Sequence, residues 1–282
     1  MIDKAVIPIA GVGTRLYPYT RVVPKAMLPL PHGERAVLPV VHWICAEAAA
    51  AGIERVLLIV SPSQRRLVRD YLSLAFDKRL PALPADLELL VQPTPSGFGE
   101  AVMLAEGFVS NEPFLVLLGD HVWIAADGAS PCAAQVVAAH RKLGGVATIG
   151  MQPVGEDELP YVGVAGGDPL DGNVYRCRDF IEKPGTPAAR NRLATPDLPD
   201  GQYLAHCGIY VFGPQIFDCL RALAALDRSV GGEIRLADAQ SMLLERHKGE
   251  YYLYRIAGRA YDTGTPANYA KAFSAFADRL RP

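Results

Sequence analysis

The chain has 282 residues, half of them hydrophobic, with 28 basic and 30 acidic side chains and a formal net charge of −2. That length holds a large core, as one big domain or two closely joined ones, and the near-neutral balance excludes a general binder of nucleic acid or membrane surface. No apolar run approaches the ~18 residues of a spanning helix, and the chain opens on a core strand rather than on a signal peptide. Five scattered cysteines (Cys45, Cys132, Cys177, Cys207, Cys219) without a C-x-x-C pair fit reduced thiols in a cytoplasmic protein better than a disulfide framework or a zinc site.

Ala5 to Ala10 is an apolar run that reads as the first buried strand. Val37 to Ala51 carries Val41, Ile44, Cys45 and Ala48 at helical spacing, with His42 packed in the core and Gly52 as the stop. Strands are expected at 56–60, 87–91 and 114–118, and helices at 67–74 and 100–108. This alternation implies an α/β fold with a mostly parallel sheet and helices on both faces. Further on, strands are expected at 146–151, 161–165, 203–212 and 251–256, and helices at 214–226, 234–247 and 266–280. Gly185 to Gly201, with three prolines, reads as a surface loop.

Ligands in such sheets bind beyond the carboxyl ends of the strands. Three motifs fall there. Gly11-Val12-Gly13-Thr14-Arg15, followed by Pro24-Lys25-Ala26-Met27-Leu28-Pro29, places a glycine loop and two cations after the first strand. Glycines let backbone N–H groups approach a polyphosphate, Arg suits bidentate phosphate contact, and Lys is a compact point charge. The spacing is neither a P-loop nor a dinucleotide fingerprint, and the glycine motif alone serves equally as a turn. Gln92-Pro93-Thr94-Pro95-Ser96-Gly97 follows a strand, and a Gln amide offers the donor and acceptor that a pyrimidine imide edge matches. Gly119-Asp120 ends the most apolar strand, where a carboxylate suits a Mg²⁺ ligand, and Asp262 in Tyr261-Asp262-Thr263-Gly264-Thr265 offers a second. His121 could line the same site. Glu182-Lys183, read as extended, would point to opposite faces, Lys183 to a phosphate and Glu182 to a sugar hydroxyl.

Taken together these segments resemble the sugar-1-phosphate nucleotidyltransferases, the nucleoside-diphosphate-sugar pyrophosphorylases, from about residue 4 to 270. The strand, the Gly-x-Gly-Thr-Arg and the Pro-Lys-x-x-Leu-Pro run from Lys4 to Leu30. Gly231-Gly232-Glu233-Ile234-Arg235-Leu236-Ala237-Asp238-Ala239 resembles the uridylyltransferases that take UTP and glucose 1-phosphate, whereas Val91 to Ala101 and Tyr261 to Thr265 are closer to the dTTP-using thymidylyltransferases. The resemblance implies one Rossmann-type, GT-A-like three-layer α/β/α domain over 1–282. Its nucleotide-binding half would be about 1–125 and its sugar-phosphate half about 126–282.

Carried over by motif, Ala10, Gly11, Gly13, Thr14 and Arg15 would hold the triphosphate and Lys25 the reacting phosphates. Gln92 and Gly97 would read the base, and Asp120 and Asp262 would hold Mg²⁺. Gly163, Glu182, Lys183 and Gly208 would form the sugar-phosphate side. The implied reaction makes a UDP-sugar and pyrophosphate from UTP and a sugar 1-phosphate, glucose 1-phosphate first among them, with Arg15, Lys25 and Asp120 catalytic; dTTP is the alternative nucleotide. A homo-oligomer is also implied, and since the sequence ends soon after the terminal helix, no fused acyltransferase domain is expected.

The chain departs from the pattern at Tyr161-Val162-Gly163-Val164, at the long turn Pro31 to Arg35 and at Ala205-His206-Cys207-Gly208, which bears on the sugar more than on the reaction. A catalytically silent sugar-nucleotide-binding regulatory subunit is the rival from another class. Retention of Arg15, Lys25, Asp120, Lys183 and Asp262 speaks against it.

Overall fold

A strand buried on both faces needs apolar residues on both sides of its pleat, and the runs at 5–8, 56–60 and 114–117 have them. In the computed structural model, which describes residues 1–33, 36–75, 80–94, 96–226 and 233–279, the first strand is β1 (Lys4–Pro8). A short antiparallel pair, β2 (Pro29–His32) with β3 (Ala36–Pro39), precedes α1 (Val40–Ala50), so the expected helix starts later than its apolar spacing suggested. His42 is fully buried, as expected, and bonds to the Pro81 carbonyl and the Tyr71 hydroxyl, each at 3.0 Å. There follow β4 (Arg55–Val60), α2 (Arg65–Leu74) and β5 (Asp86–Val91). The single helix expected at 100–108 is two, α3 (Phe98–Met103) and α4 (Glu106–Val109), and β6 (Phe114–Leu117) completes the first half.

Beyond it lie β7 (His121–Ala125), α5 (Cys132–Leu143), β8 (Ala147–Gly155), β9 (Gly163–Asp171) and β10 (Val174–Glu182). The expected strand at 161–165 begins only at Gly163, because Leu159–Tyr161 form a 3-10 turn. The supposed loop at 185–201 contains α6 (Thr186–Arg192). Ala189 and Leu193 are fully buried there against Val154, Val164 and Tyr203, two apolar anchors too few to register as a period among the prolines. The chain continues through β11 (Gln202–Phe212), α7 (Gln215–Ala225), α8 (Leu236–Arg246), β12 (Tyr251–Arg255), β13 (Gly258–Asp262) and α9 (Pro266–Asp278). Glu34 and Arg35 of the long turn, Pro95 of the Pro-x-Pro loop, Gly231 and Gly232 of the glycine motif and Leu280 lie outside the described residues.

Nine strands form one mixed sheet in the order β5-β4-β1-β6-β11-β8-β12-β10-β9. β5, β4, β1 and β6 run parallel, β11 turns antiparallel to β6 and to β8, and β12 is parallel to β8. The two-residue period sorts the side chains cleanly. Ile7, Val56, Leu58, Leu115 and Leu117 pack on one face with residues of α1, α2, α5 and α9. Val6, Leu57, Ile59, Phe114 and Val116 pack on the other with residues of α3, α4, α7 and α8. The parallel half directs the carboxyl ends of β1, β4, β5 and β6 to one edge. There Ile9 N–H still bonds Ile59 (2.8 Å) and Gln92 N–H still bonds Val60 (2.9 Å) before the loops diverge.

Candidate active site

The phosphate-binding candidates meet at that edge. Gly13 takes a left-handed φ of 69° at the start of a 3-10 turn over Thr14–Leu16, and its carbonyl accepts the Thr20 hydroxyl at 2.7 Å. Lys25 Nζ lies 2.6 Å from Asp120 Oδ2, with both side chains only 16% exposed. His121 Nδ1 lies 3.0 Å from the other Asp120 oxygen. Two further contacts pull the Asp262 segment in: β13 pairs with β7 so that Asp262 faces His121, and Thr263 gives both its N–H (2.8 Å) and its hydroxyl (2.9 Å) to the Asp120 carbonyl. A Cβ added at Gly264 would stand 2.9 Å from Asp262 Oδ1, 3.1 Å from Arg15 Nη2 and 3.4 Å from Asp120 Oδ2. One at Gly11 would stand 3.6 Å from Lys25 Nζ. Arg15, Lys25, Asp120, Asp262 and the glycine loop, 250 residues apart at the extremes, thus share one small volume.

Burial pushes the Asp120 carboxyl up, but the Lys25 ammonium and the His121 contact outweigh it and hold it well below the usual carboxylate range. It is an anion at any working pH. Ligand atoms of Asp120, His121 and Asp262 lie within 4.8 Å of one another. Two carboxylates of this kind, hard oxygen donors beside the glycine loop, fit Mg²⁺, and the Lys25 ammonium on Asp120 shows that a cation is accommodated there. Asp262 does not cap α9. Thr265 does, accepting Asn268 N–H at 3.2 Å, while Asp262 is oriented by Gly264 N–H (2.6 Å) and Asn268 Nδ2 (2.8 Å).

A cavity of about 310 Å³ opens beside the glycine loop, lined by Ala10, Arg21, Pro24, Gln64 and Gln92 among others. Gln92 does not offer its amide as the sequence suggested. Its Nε2 donates inward, to the Gly97 carbonyl at 3.2 Å and to Glu100 Oε2 at 2.5 Å. The side-chain oxygen, an acceptor, is what remains for a ligand. Gly97 has a φ of 106°, and a Cβ there would meet the Ile234 carbonyl at 2.6 Å, so glycine is required for both conformation and space.

On the far side, Gly163 pairs with Glu182 across β9 and β10, and its missing Cβ would fall 2.8 Å from Glu182 Oε2. Lys183 is not extended. Its φ is 53°, and its ammonium turns back to Glu182 at 3.6 Å, so the two side chains share one side instead of opposing each other. Gly208 (φ 80°) sits in an irregular stretch of β11 with His121 against it, 3.1 Å from where a Cβ would be. The buried Tyr210 hydroxyl is pushed up by burial first and then by both Glu182 and Asp120, so both carboxylates lie within electrostatic reach of one hydroxyl.

Sequence reasoning missed Glu100, Thr263, Asn268 and Ile234. The last has a signal in retrospect: Ile234 N–H bonds Ser96 (3.0 Å) and its carbonyl accepts Gly99 N–H (2.8 Å), so the Glu-Ile-x-Leu motif fastens the Gln92 loop. The others carry no spacing that points to the site.

Residues 4–279 match the nucleotidyl transferase family. The chain is similar to the UTP–glucose-1-phosphate uridylyltransferase of Staphylococcus epidermidis, at 32% identity over 96% of this chain and 90% of the relative. It is equally similar to that of Bacillus subtilis (strain 168), at 32% identity over 98% and 91%. A crystal structure of UDP-glucose pyrophosphorylase complexed with UDP-glucose superposes with a TM-score of 0.80 at 26% identity, over 99% of this chain and all of that one. The apo form of UDP-glucose pyrophosphorylase gives 0.81. Among the described residues no helix is long and apolar enough to cross a membrane, and all five cysteines are unpaired and buried. With the ordered motifs gathered at one sheet edge and the match running nearly end to end, the chain belongs to the nucleotidyl transferase family.

Proposed function

We propose that the protein transfers a uridylyl group from UTP to glucose 1-phosphate, releasing pyrophosphate and UDP-glucose. The observation that carries the reading is the gathering of Arg15, Lys25, Asp120 and Asp262 around the Gly11–Gly13 loop, beside a cavity lined by Gln92. The uridylyltransferase relatives support UTP and glucose 1-phosphate as the pair.

The acceptor is a sugar phosphate oxygen that is already an anion, so no general base is needed, and catalysis is positioning and charge neutralisation. Its oxygen attacks the α-phosphorus in line, a P–O bond to the sugar phosphate forms, and the bond to pyrophosphate breaks. The backbone of Gly11 and Gly13, unshielded by Cβ atoms, approaches the phosphates. Arg15 and Lys25 offset charge on the departing pyrophosphate. For Lys25 this means leaving Asp120, its partner at 2.6 Å, or bridging the carboxylate and the phosphates. Lys183 and Glu182 grip the sugar phosphate and a sugar hydroxyl from one side. Asp120 and Asp262 would hold Mg²⁺, which when bound supplies positive charge to the nucleotide and sugar phosphates.

The test is kcat/KM for UTP, dTTP, CTP and GTP with glucose 1-phosphate. The reading expects UTP first and dTTP next, since a buried donor facing a donor or an acceptor facing an acceptor costs ~1–3 kcal/mol. A preference for GTP or CTP would overturn it. Tight nucleotide-sugar binding with no turnover in either direction would instead favour a silent regulatory subunit.

A further inference from the structure

An amide side chain is nearly the same shape when its oxygen and nitrogen are exchanged, so which of them a ligand meets is decided by the neighbours. At Gln92 the neighbours are unambiguous. Both N–H groups have acceptors, the Gly97 carbonyl at 3.2 Å and Glu100 Oε2 at 2.5 Å. A flipped amide would set its oxygen against two oxygens. Gln92 cannot swing clear either, being 4% exposed on a backbone held to Val60. The Gly97 carbonyl is itself fixed, because the loop is fastened on both sides of it to Ile234.

We propose that Glu100 is a positioning residue that locks the Gln92 amide with its carbonyl oxygen toward the cavity, so that the site selects bases carrying N–H at ring position 3. Uracil and thymine present that N–H. Cytosine presents a bare acceptor there, and against a locked carbonyl it meets oxygen with nitrogen lone pair. Glu100 lies in the first turn of α3, directly after the loop, and acts on the base through Gln92. The proposal rests on reading the Gln92 cavity as the base site.

The experiment compares kcat/KM and directly measured affinity for UTP, dTTP and CTP in the parent protein, Glu100→Ala and Glu100→Gln. Losing the charged acceptor removes the closer of the two oxygens that oppose a flipped amide and lets its nitrogen turn toward cytosine, so in Glu100→Ala the UTP:CTP ratio falls about tenfold, mostly in KM. The UTP:dTTP ratio stays within about twofold, because both bases show the same N3–H. Glu100→Gln keeps an acceptor and retains most of the parent ratio. Glu100→Met, of similar size without an acceptor, gives the same answer as Ala if the Ala variant is unstable. Equal losses toward all three nucleotides, with the UTP:CTP ratio unchanged, would overturn the proposal and leave Glu100 a purely structural contact. A parent protein that does not distinguish UTP and dTTP from CTP would overturn the base-site reading first, and the proposal with it.

Discussion

Gly119→Ala is the most informative single change, because it disturbs the site through the sheet without removing any functional group. Gly119 joins the end of β6 to Asp120 where β6 passes β1. A Cβ there would stand 2.2 Å from the Pro8 carbonyl oxygen, 2.6 Å from Ile9 Cγ2 and 3.0 Å from the Pro8 carbonyl carbon. A comfortable carbon–oxygen contact is ~3.3 Å or more, so about 1 Å of movement is required. Two of the three atoms in the way, including the nearest, are backbone of β1, so the segment that can yield is the one carrying Asp120. Overpacking of this kind costs about 1–3 kcal/mol, which for a chain of this size lowers Tm by roughly 2–5 °C. A 1 Å displacement of a charge-positioning group costs ~10² in rate. Differential scanning calorimetry and a pyrophosphate-release assay read the two quantities on the same preparation. If Gly119→Ala melts within a degree of the parent and turns over at the parent rate, Asp120 is not placed by this contact and the reasoning fails.

Lys25→Ala should lower kcat by ~10² while nucleotide affinity falls much less, since its charge matters most as pyrophosphate departs. Lys183→Ala should raise KM for glucose 1-phosphate about tenfold with kcat largely kept, and equal small effects from both would contradict the separate roles proposed for them. Burial pushes the Glu47 carboxyl up from 4.5 to about 7 although Oε1 accepts Ala133 N–H at 2.7 Å. The folded chain therefore keeps a proton that the unfolded chain releases, and stability is lost as pH rises from about 4.5 through about 7. Glu47→Gln, uncharged but still an acceptor, should match the parent at pH 4 and gain about 2 kcal/mol at pH 8, after discounting for partial exposure. Thermal melts at the two pH values check this, and a gain at both would place the effect in packing.

The parallel half of the fold was legible because strands such as Val56–Val60 are apolar on both faces, a pattern that position in the sheet alone explains. α6 was not, since Ala189 and Leu193 at its end mark only a single helical turn. The β7–β13 pair was hidden for another reason: it joins residues more than 130 apart, and only that pairing shows that Asp262 faces His121. The candidate site was legible as residue types at strand ends. Its orientation was not, because the conformation of Lys183 and the inward-turned Gln92 amide depend on partners that no local spacing announces.

The most direct test of the transfer itself is the fate of the α-phosphorus. With UTP labelled at that position, glucose 1-phosphate and Mg²⁺, the account predicts that label passes into UDP-glucose in step with unlabelled pyrophosphate, and returns to UTP when excess pyrophosphate is added. Label recovered as free UMP, or left in UTP while the protein binds UDP-glucose tightly, would contradict it.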